Sequence, residues 1–168
     1  MAHERREHRI ALEILYAVDV GKASVVEALS QARDGVGVFG RGDEAAAQDP
    51  YEPLYPAIDR RQDAPRPTDW SLVEALVHGT LGCKYALEKE LALLLRRWKI
   101  ERLSGIDRLV LDLAGWELRH RPQAEATAII NHAVELAGRL SGSKSGRFVN
   151  AVLDAFAKAA PEMAPDGR

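Results

Sequence analysis

Along most of this chain apolar residues recur at intervals of three and four, the spacing that lines one face of an α-helix. Over residues 4–20, Ala11, Ile14, Leu15 and Val18 form such a stripe, and Gly21 stands where the helix would stop. Ser24 is read as the N-cap of a second, shorter helix that runs to Ala32 with Val25, Leu29 and Ala32 on one side. The pattern resumes after Thr68, read as an N-cap, with Trp70, Val73, Leu76, Val77 and Leu81 as a third stripe. Leu87, Leu91, Leu94 and Leu95 mark a fourth helix over Lys84–Trp98. Ser104, with Asp107 three residues on, resembles a capping box and opens a fifth. Its inward side is Ile106, Leu109, Val110 and Leu113, with Glu117 next in line and Trp116 beside it, and Pro122 closes the run. A sixth helix is predicted over Ala126–Leu140, a turn over SGSKSG (141–146), and a seventh helix over Ser145–Ala160 through Phe148, Val149, Val152, Leu153 and Phe156. No run alternates with the period of two that a half-buried strand requires. The expected fold class is therefore all-α, about seven helices around one core.

Two stretches break the pattern. Residues 34–67 gather glycine and proline without sustained period, which predicts a flexible insertion or a segment ordered by a partner, with Tyr51, Leu54, Tyr55 and Ile58 apolar enough to dock. Pro161, Pro165 and Gly167 predict a frayed tail from about residue 161. The rest fits a single domain spanning 1–168, long enough to bury a core without disulfide or metal. The lone cysteine, Cys83, cannot form an internal disulfide and is read as a small core residue of a protein in the reducing cytoplasm. The charged start MAHERREHR does not look like a secretory leader, and no apolar run has the length of a membrane span.

Catalytic signatures are missing. The histidines, His3, His8, His78, His120 and His132, do not pair at helical spacing and have no cysteine beside them, so neither a metal nor another cofactor is expected. The GVGVFGRG run follows no strand and lacks the context of a phosphate loop. The sequence reads as a binding protein, not an enzyme.

With a formal net charge of −2, any polyanion partner has to be met by local charge. Arg5, Arg6 and Arg9 open the first helix. Arg5 and Arg9 share a face with Glu13 and Tyr16 further along, an arrangement suited to holding phosphates and stacking a base. Glu4 and Glu7 dilute that charge, His3 and His8 add to it if protonated, and an ordinary solvated helix is the competing reading. Arg139, Lys144 and Arg147 form a second cluster with no acid between them, at a turn and a helix start, where backbone N–H groups also attract phosphate. Phe148, next in the chain, suits stacking and core packing equally. The mixed-sign group from Arg96 to Arg108, with Glu101 and Asp107 in it, suits a protein partner better than RNA, although Asp107 is also placed to cap its own helix.

Three segments carry a family likeness. RREHRIALEILYAVDVG resembles the arginine-rich first helix of NusB proteins, IDRLVLDLAGWELRHRP their fifth helix, and AIINHAVELAGRLSGSKSGRFVNAVLDAFAK their C-terminal signature. The resemblance implies seven helices in two packed subdomains. It also implies transcription antitermination: binding of the boxA element of ribosomal RNA leaders together with the ribosomal protein NusE, in a complex on RNA polymerase. Carried over by position, it makes Arg5, Arg6, Arg9, Tyr16, Lys144, Arg147 and Phe148 RNA-binding residues, and Glu101 and Asp107 partner-protein residues. The chain departs from the pattern at His132, where the family has Glu, and at Ala151, where it has Gly and where a methyl is expected to crowd a helix contact. Two other settings share the resemblance: an RNA-targeting domain of an RNA cytosine methyltransferase, and an adaptor or homodimer that has lost RNA binding.

Overall fold

The computed structural model describes residues 2–34, 67–95 and 99–159, the side chains of residues 2–5 and 101 excepted. The predicted insertion (but for its end residues), the tail from about 161, and Arg96, Arg97 and Trp98 therefore lie outside the described residues. Those described form six α-helices and one short 3-10 turn: α1 (Ala2–Asp19), α2 (Val25–Arg33), α3 (Trp70–Leu94), the turn (Ile100–Arg102), α4 (Gly105–His120), α5 (Ala126–Ser141) and α6 (Ser143–Lys158). There is no strand among them, and the all-α expectation holds.

Local chemistry sets the starts. Ser24 and Glu27 form a reciprocal capping box: the Glu27 amide donates to Ser24 Oγ at 3.2 Å and the Ser24 amide to Glu27 Oε2 at 3.1 Å. Asp69, not Thr68, caps α3, its Oδ1 accepting from the Leu72 amide at 3.1 Å. Ser104 caps α4, accepting from the Asp107 amide at 3.0 Å.

The third and fourth predicted helices are one. α3 runs unbroken for 25 residues. Its inward stripe passes from Val73 through Leu76, Val77 and Thr80 to Leu87 and Leu91, and the position that bridges Thr80 and Leu87 is Lys84. A charged residue at a core-facing position makes the stripe look interrupted. In the fold its ammonium reaches Asp19 Oδ1 at 2.5 Å, so the helix continues.

α4 is the central element and packs against α1, α3, α5 and α6. Ile14, Leu15, Leu76, Leu91, Leu109 and Phe156 are among the fully enclosed side chains of the core. The predicted six-residue turn before the last helix shrinks to a single residue. Gly142 has φ 96° and ψ 171°, a region essentially restricted to glycine, and it reverses the chain alone, so α6 begins at Ser143.

Two packing expectations are corrected. Ala151 is exposed, so its methyl crowds nothing; the close approach of α6 to α5 is at Gly146, where a Cβ would lie 3.2 Å from the Val134 carbonyl oxygen. Cys83 is half-buried and not part of the core, its Sγ 3.9 Å from His120 Nε2. Another close helix contact is one the stripes do not reveal: a Cβ on Gly79 would fall 2.1 Å from the Trp116 ring, which is itself stacked on His120 with centroids 5.6 Å apart. Gly79→Ala is expected to lower stability by about 1–3 kcal/mol, despite alanine's better helix propensity, because Trp116 has to move. Thermal denaturation measures this, and an unchanged or raised Tm would show that the ring yields freely.

Candidate nucleic-acid interface

α1 separates its charged residues between two faces. Arg6, Arg9, Glu13 and Tyr16 follow one another at intervals of three and four and are all half-buried along one side. Glu7 and His8 point the other way and are 1 % and 3 % exposed. Glu7 Oε1 accepts the Asp69 amide at 3.0 Å, so this carboxylate satisfies an open backbone donor at the start of α3. His8 Nε2 lies 2.7 Å from Glu117 Oε1, and Glu117 Oε2 accepts from Arg121 Nη1 at 2.6 Å. The His132 ring packs on His8 with centroids 5.2 Å apart. Glu7 therefore does not dilute the outward charge of α1, as the sequence suggested, and His8 does not add to it. His132, where the resemblance implied a glutamate, is an imidazole buried against α1. The side chains of His3, Glu4 and Arg5 lie outside the described residues; Arg5 is within α1 by its backbone.

The far end of this stripe meets the start of α4. The Tyr16 ring edge and a Val20 methyl both lie 3.9 Å from where a Cβ on Gly105 would sit. Two residues on, Asp107 is 8 % exposed and its Oδ2 accepts from Ser145 Oγ at 3.1 Å. This carboxylate is near the N-terminal ends of both α4 and α6, where helix dipoles favour negative charge, and it joins the two helices. Of the capping box expected at Ser104 and Asp107, only the half in which Ser104 accepts the Asp107 amide is formed. Lys144 and Arg147 on the first turns of α6 are exposed, and Phe148 is half-buried against the core.

Thus Tyr16, Asp107 and the beginning of α6 share one end of α4. Arg6 and Arg9 are on the Tyr16 side of α1, Arg9 about 10 Å before it along the axis. The remaining cationic residues are differently disposed. Arg139 pairs with Glu135 at 2.7 Å on its own helix. Arg108 turns inward, its Nη2 donating to Asp19 Oδ2 at 2.6 Å. Lys99 and Arg102 are exposed, while Arg96, Arg97 and the Glu101 side chain lie outside the described residues. The bonding roles of Ser145, Glu7 and Glu117 were not legible in the sequence, because nothing local marks them: their partners are 38, 62 and 109 residues away.

Among the described residues no group of three His, Cys, Asp or Glu side chains is placed to hold a metal ion. A void of about 10 Å³ beside His8, Glu117 and Ile129 has room for one water at most. No described helix is long and apolar enough to cross a membrane.

Comparison with known proteins gives a consistent picture. The model of the NusB family matches residues 5–158. A transcription antitermination protein NusB of Sorangium cellulosum is 48 % identical over 61 residues, 36 % of this chain and 44 % of that one. Those of Clostridium botulinum (strain Kyoto / Type A2) and Geotalea uraniireducens are 28 % and 27 % identical over 90 % and 96 % of this chain and 96 % and 99 % of theirs. Among solved structures, a chain in the crystal structure of a plectonemic RNA supercoil superposes with a TM-score of 0.72 at 19 % identity, covering 98 % of this chain and 100 % of that one. NusB of T. maritima gives 0.66 at 21 % identity, covering 94 % and 92 %. These structural matches agree on the fold.

Proposed function

The chain belongs to the NusB family, and from that premise we propose that it is a cytoplasmic transcription antitermination factor that holds boxA-type RNA of ribosomal RNA leaders together with the NusE ribosomal protein, as part of an antitermination complex on RNA polymerase. The observation that carries the RNA half is the sorting of charge on α1. With Glu7 and His8 turned into the core, the outer stripe is Arg6, Arg9, Glu13 and Tyr16, and it leads to the end of α4 beside which α6 begins with Lys144 and Arg147. In this reading Arg5, Arg6, Arg9, Lys144 and Arg147 hold phosphates, while Tyr16 and Phe148 offer ring faces to unstacked bases. Asp107 and Glu101 serve the partner protein. Asp107 does so by fixing the first turn of α6 through Ser145.

The expected contact set is small. About three to five phosphates held on single-stranded RNA give a slope of log K against log salt of roughly −2 to −3.5, a modest interaction that NusE strengthens by adding a second linked interface. Anisotropy titrations of a short boxA-type RNA across salt concentrations test this. Arg9→Ala and Arg147→Ala should each flatten the slope by about 0.7. Binding indifferent to salt and to both substitutions would remove the RNA reading, and equal affinity with and without NusE would remove the cooperative one.

A further inference from the structure

On its side facing α1 and α3, α4 holds a carboxyl group with no hydrogen-bonding partner among the described residues. Asp112 is 0 % exposed, and neither Oδ1 nor Oδ2 is bonded. Four charged groups surround it: Asp19 at the end of α1, Lys84 and Glu88 on α3, and Arg108 one turn earlier on α4. They bond to one another. Lys84 and Arg108 both donate to Asp19, at 2.5 and 2.6 Å, and stand 4.0 and 3.8 Å from Glu88 Oε1. α5 lies on another face of α4, against Val110, Leu113, Ala114 and Glu117. α6 meets α4 through Phe156, and its Asp154 and Lys158 pair with each other in solvent.

With Asp112 neutral, the group holds two acids and two bases. With it ionised, a third carboxylate has to share the same two cations in a buried site. Arg108 is four residues before Asp112, on the same helix face and within reach of it. We infer that Asp112 is a proton-operated latch on the α1–α4 contact: protonated, it leaves Arg108 on Asp19 and the end of α1 clamped; ionised, it draws Arg108 off Asp19 and releases the corner between α1 and α2. That corner depends on the clamp. Lys22 sits there at φ 57°, its Nζ donating to the Asp19 carbonyl, and the Ala23 amide reaches back to the Ala17 carbonyl at 3.1 Å. Tyr16 is one turn upstream.

The electrostatics set the working range near neutrality. Burial, and then Glu88, raise the Asp112 carboxyl to about 7; Lys84 and Arg108 oppose the rise and Asp19 adds to it. Burial also tends to raise Asp19, but Lys84 and Arg108 outweigh it and keep that group below its ordinary value, as expected of the clamped partner. A carboxyl raised on folding binds more protons in the folded state, so its contribution falls as pH rises from about 4 to about 7 and is flat above.

The test is the intact chain beside Asp112→Asn, which copies the neutral form. In the unaltered chain the Asp112 carboxyl carbon should titrate near 7 by NMR. The exchange protection of the Ala23 amide, corrected for intrinsic base catalysis, should drop about tenfold or more between about pH 6 and 8.5. Asp112→Asn should keep the protected level at both. A carboxyl titrating near 4, or Ala23 protection that is the same at both pH values in the unaltered chain, overturns the latch. So does a drop that persists in Asp112→Asn. None of these readouts involves RNA, so they succeed or fail apart from the function proposed above.

Discussion

Glu117→Ala should destabilise the fold by about 3–5 kcal/mol, because it removes one member of a buried charged group and leaves the others behind. The carboxylate is 1 % exposed, lies 2.7 Å from His8 and accepts from Arg121 at 2.6 Å. His8 is enclosed as well, so bulk water does not take the place of the carboxylate at its Nε2. Glu117→Gln keeps the shape and loses the charge, and about half of that cost is expected. Urea unfolding of the three proteins measures both values. A loss below about 1 kcal/mol for the alanine variant would mean that the link from α1 to α4 is not held by this group. Because the link crosses from the helix of Arg6 and Arg9 to the central helix, its loss should also loosen the arginine stripe even though Glu117 itself is buried in the core.

Phe156→Ala should cost a similar amount, about 3–5 kcal/mol, from a different source. The ring is fully enclosed, and the Arg119 guanidinium lies 3.8 Å above its centroid. Arg119 is further fixed by Glu90 at 3.1 Å and by the Phe156 carbonyl oxygen at 3.2 Å. Truncation leaves a cavity next to Leu87 and Gly115 and strips the cation of its aromatic face while its other partners stay. Phe156→Leu retains most of the apolar volume and should cost about 1–1.5 kcal/mol. A double-mutant cycle with Arg119→Met isolates the cation–ring part, expected at about 1 kcal/mol. Zero coupling would reduce the pair to simple packing.

The contrast between these two residues shows what the sequence discloses. Phe156 lies on the hydrophobic stripe of its helix, and its burial was expected from spacing alone. Glu117 occupies an equivalent place on α4, and the periodicity includes it, but nothing near it in the chain names His8 as its partner. The same holds for Glu7, which reads as a surface acid until α3 brings the Asp69 amide against it. Helix starts at Ser24 and Ser104 were legible because caps act within three residues. The division of α3 was misread because Lys84 interrupts a pattern that only its pairing with Asp19 completes. The fit of Trp116 over Gly79 was invisible, since two helices have to be docked before a missing side chain acquires meaning. For the candidate interface, the cationic residues could be found by composition, but which acids remain beside them could not.

The one-residue reversal at Gly142 bears on the order in which the molecule assembles. α5 and α6 close on each other with almost no loop to order, so their pairing is a local, fast event. α1 is synthesised first yet finds its anchor, Glu117, 109 residues later. During synthesis the arginine stripe therefore precedes the helices that orient it, and the proposed polyanion-binding surface is complete only once α4 and α6 have both formed.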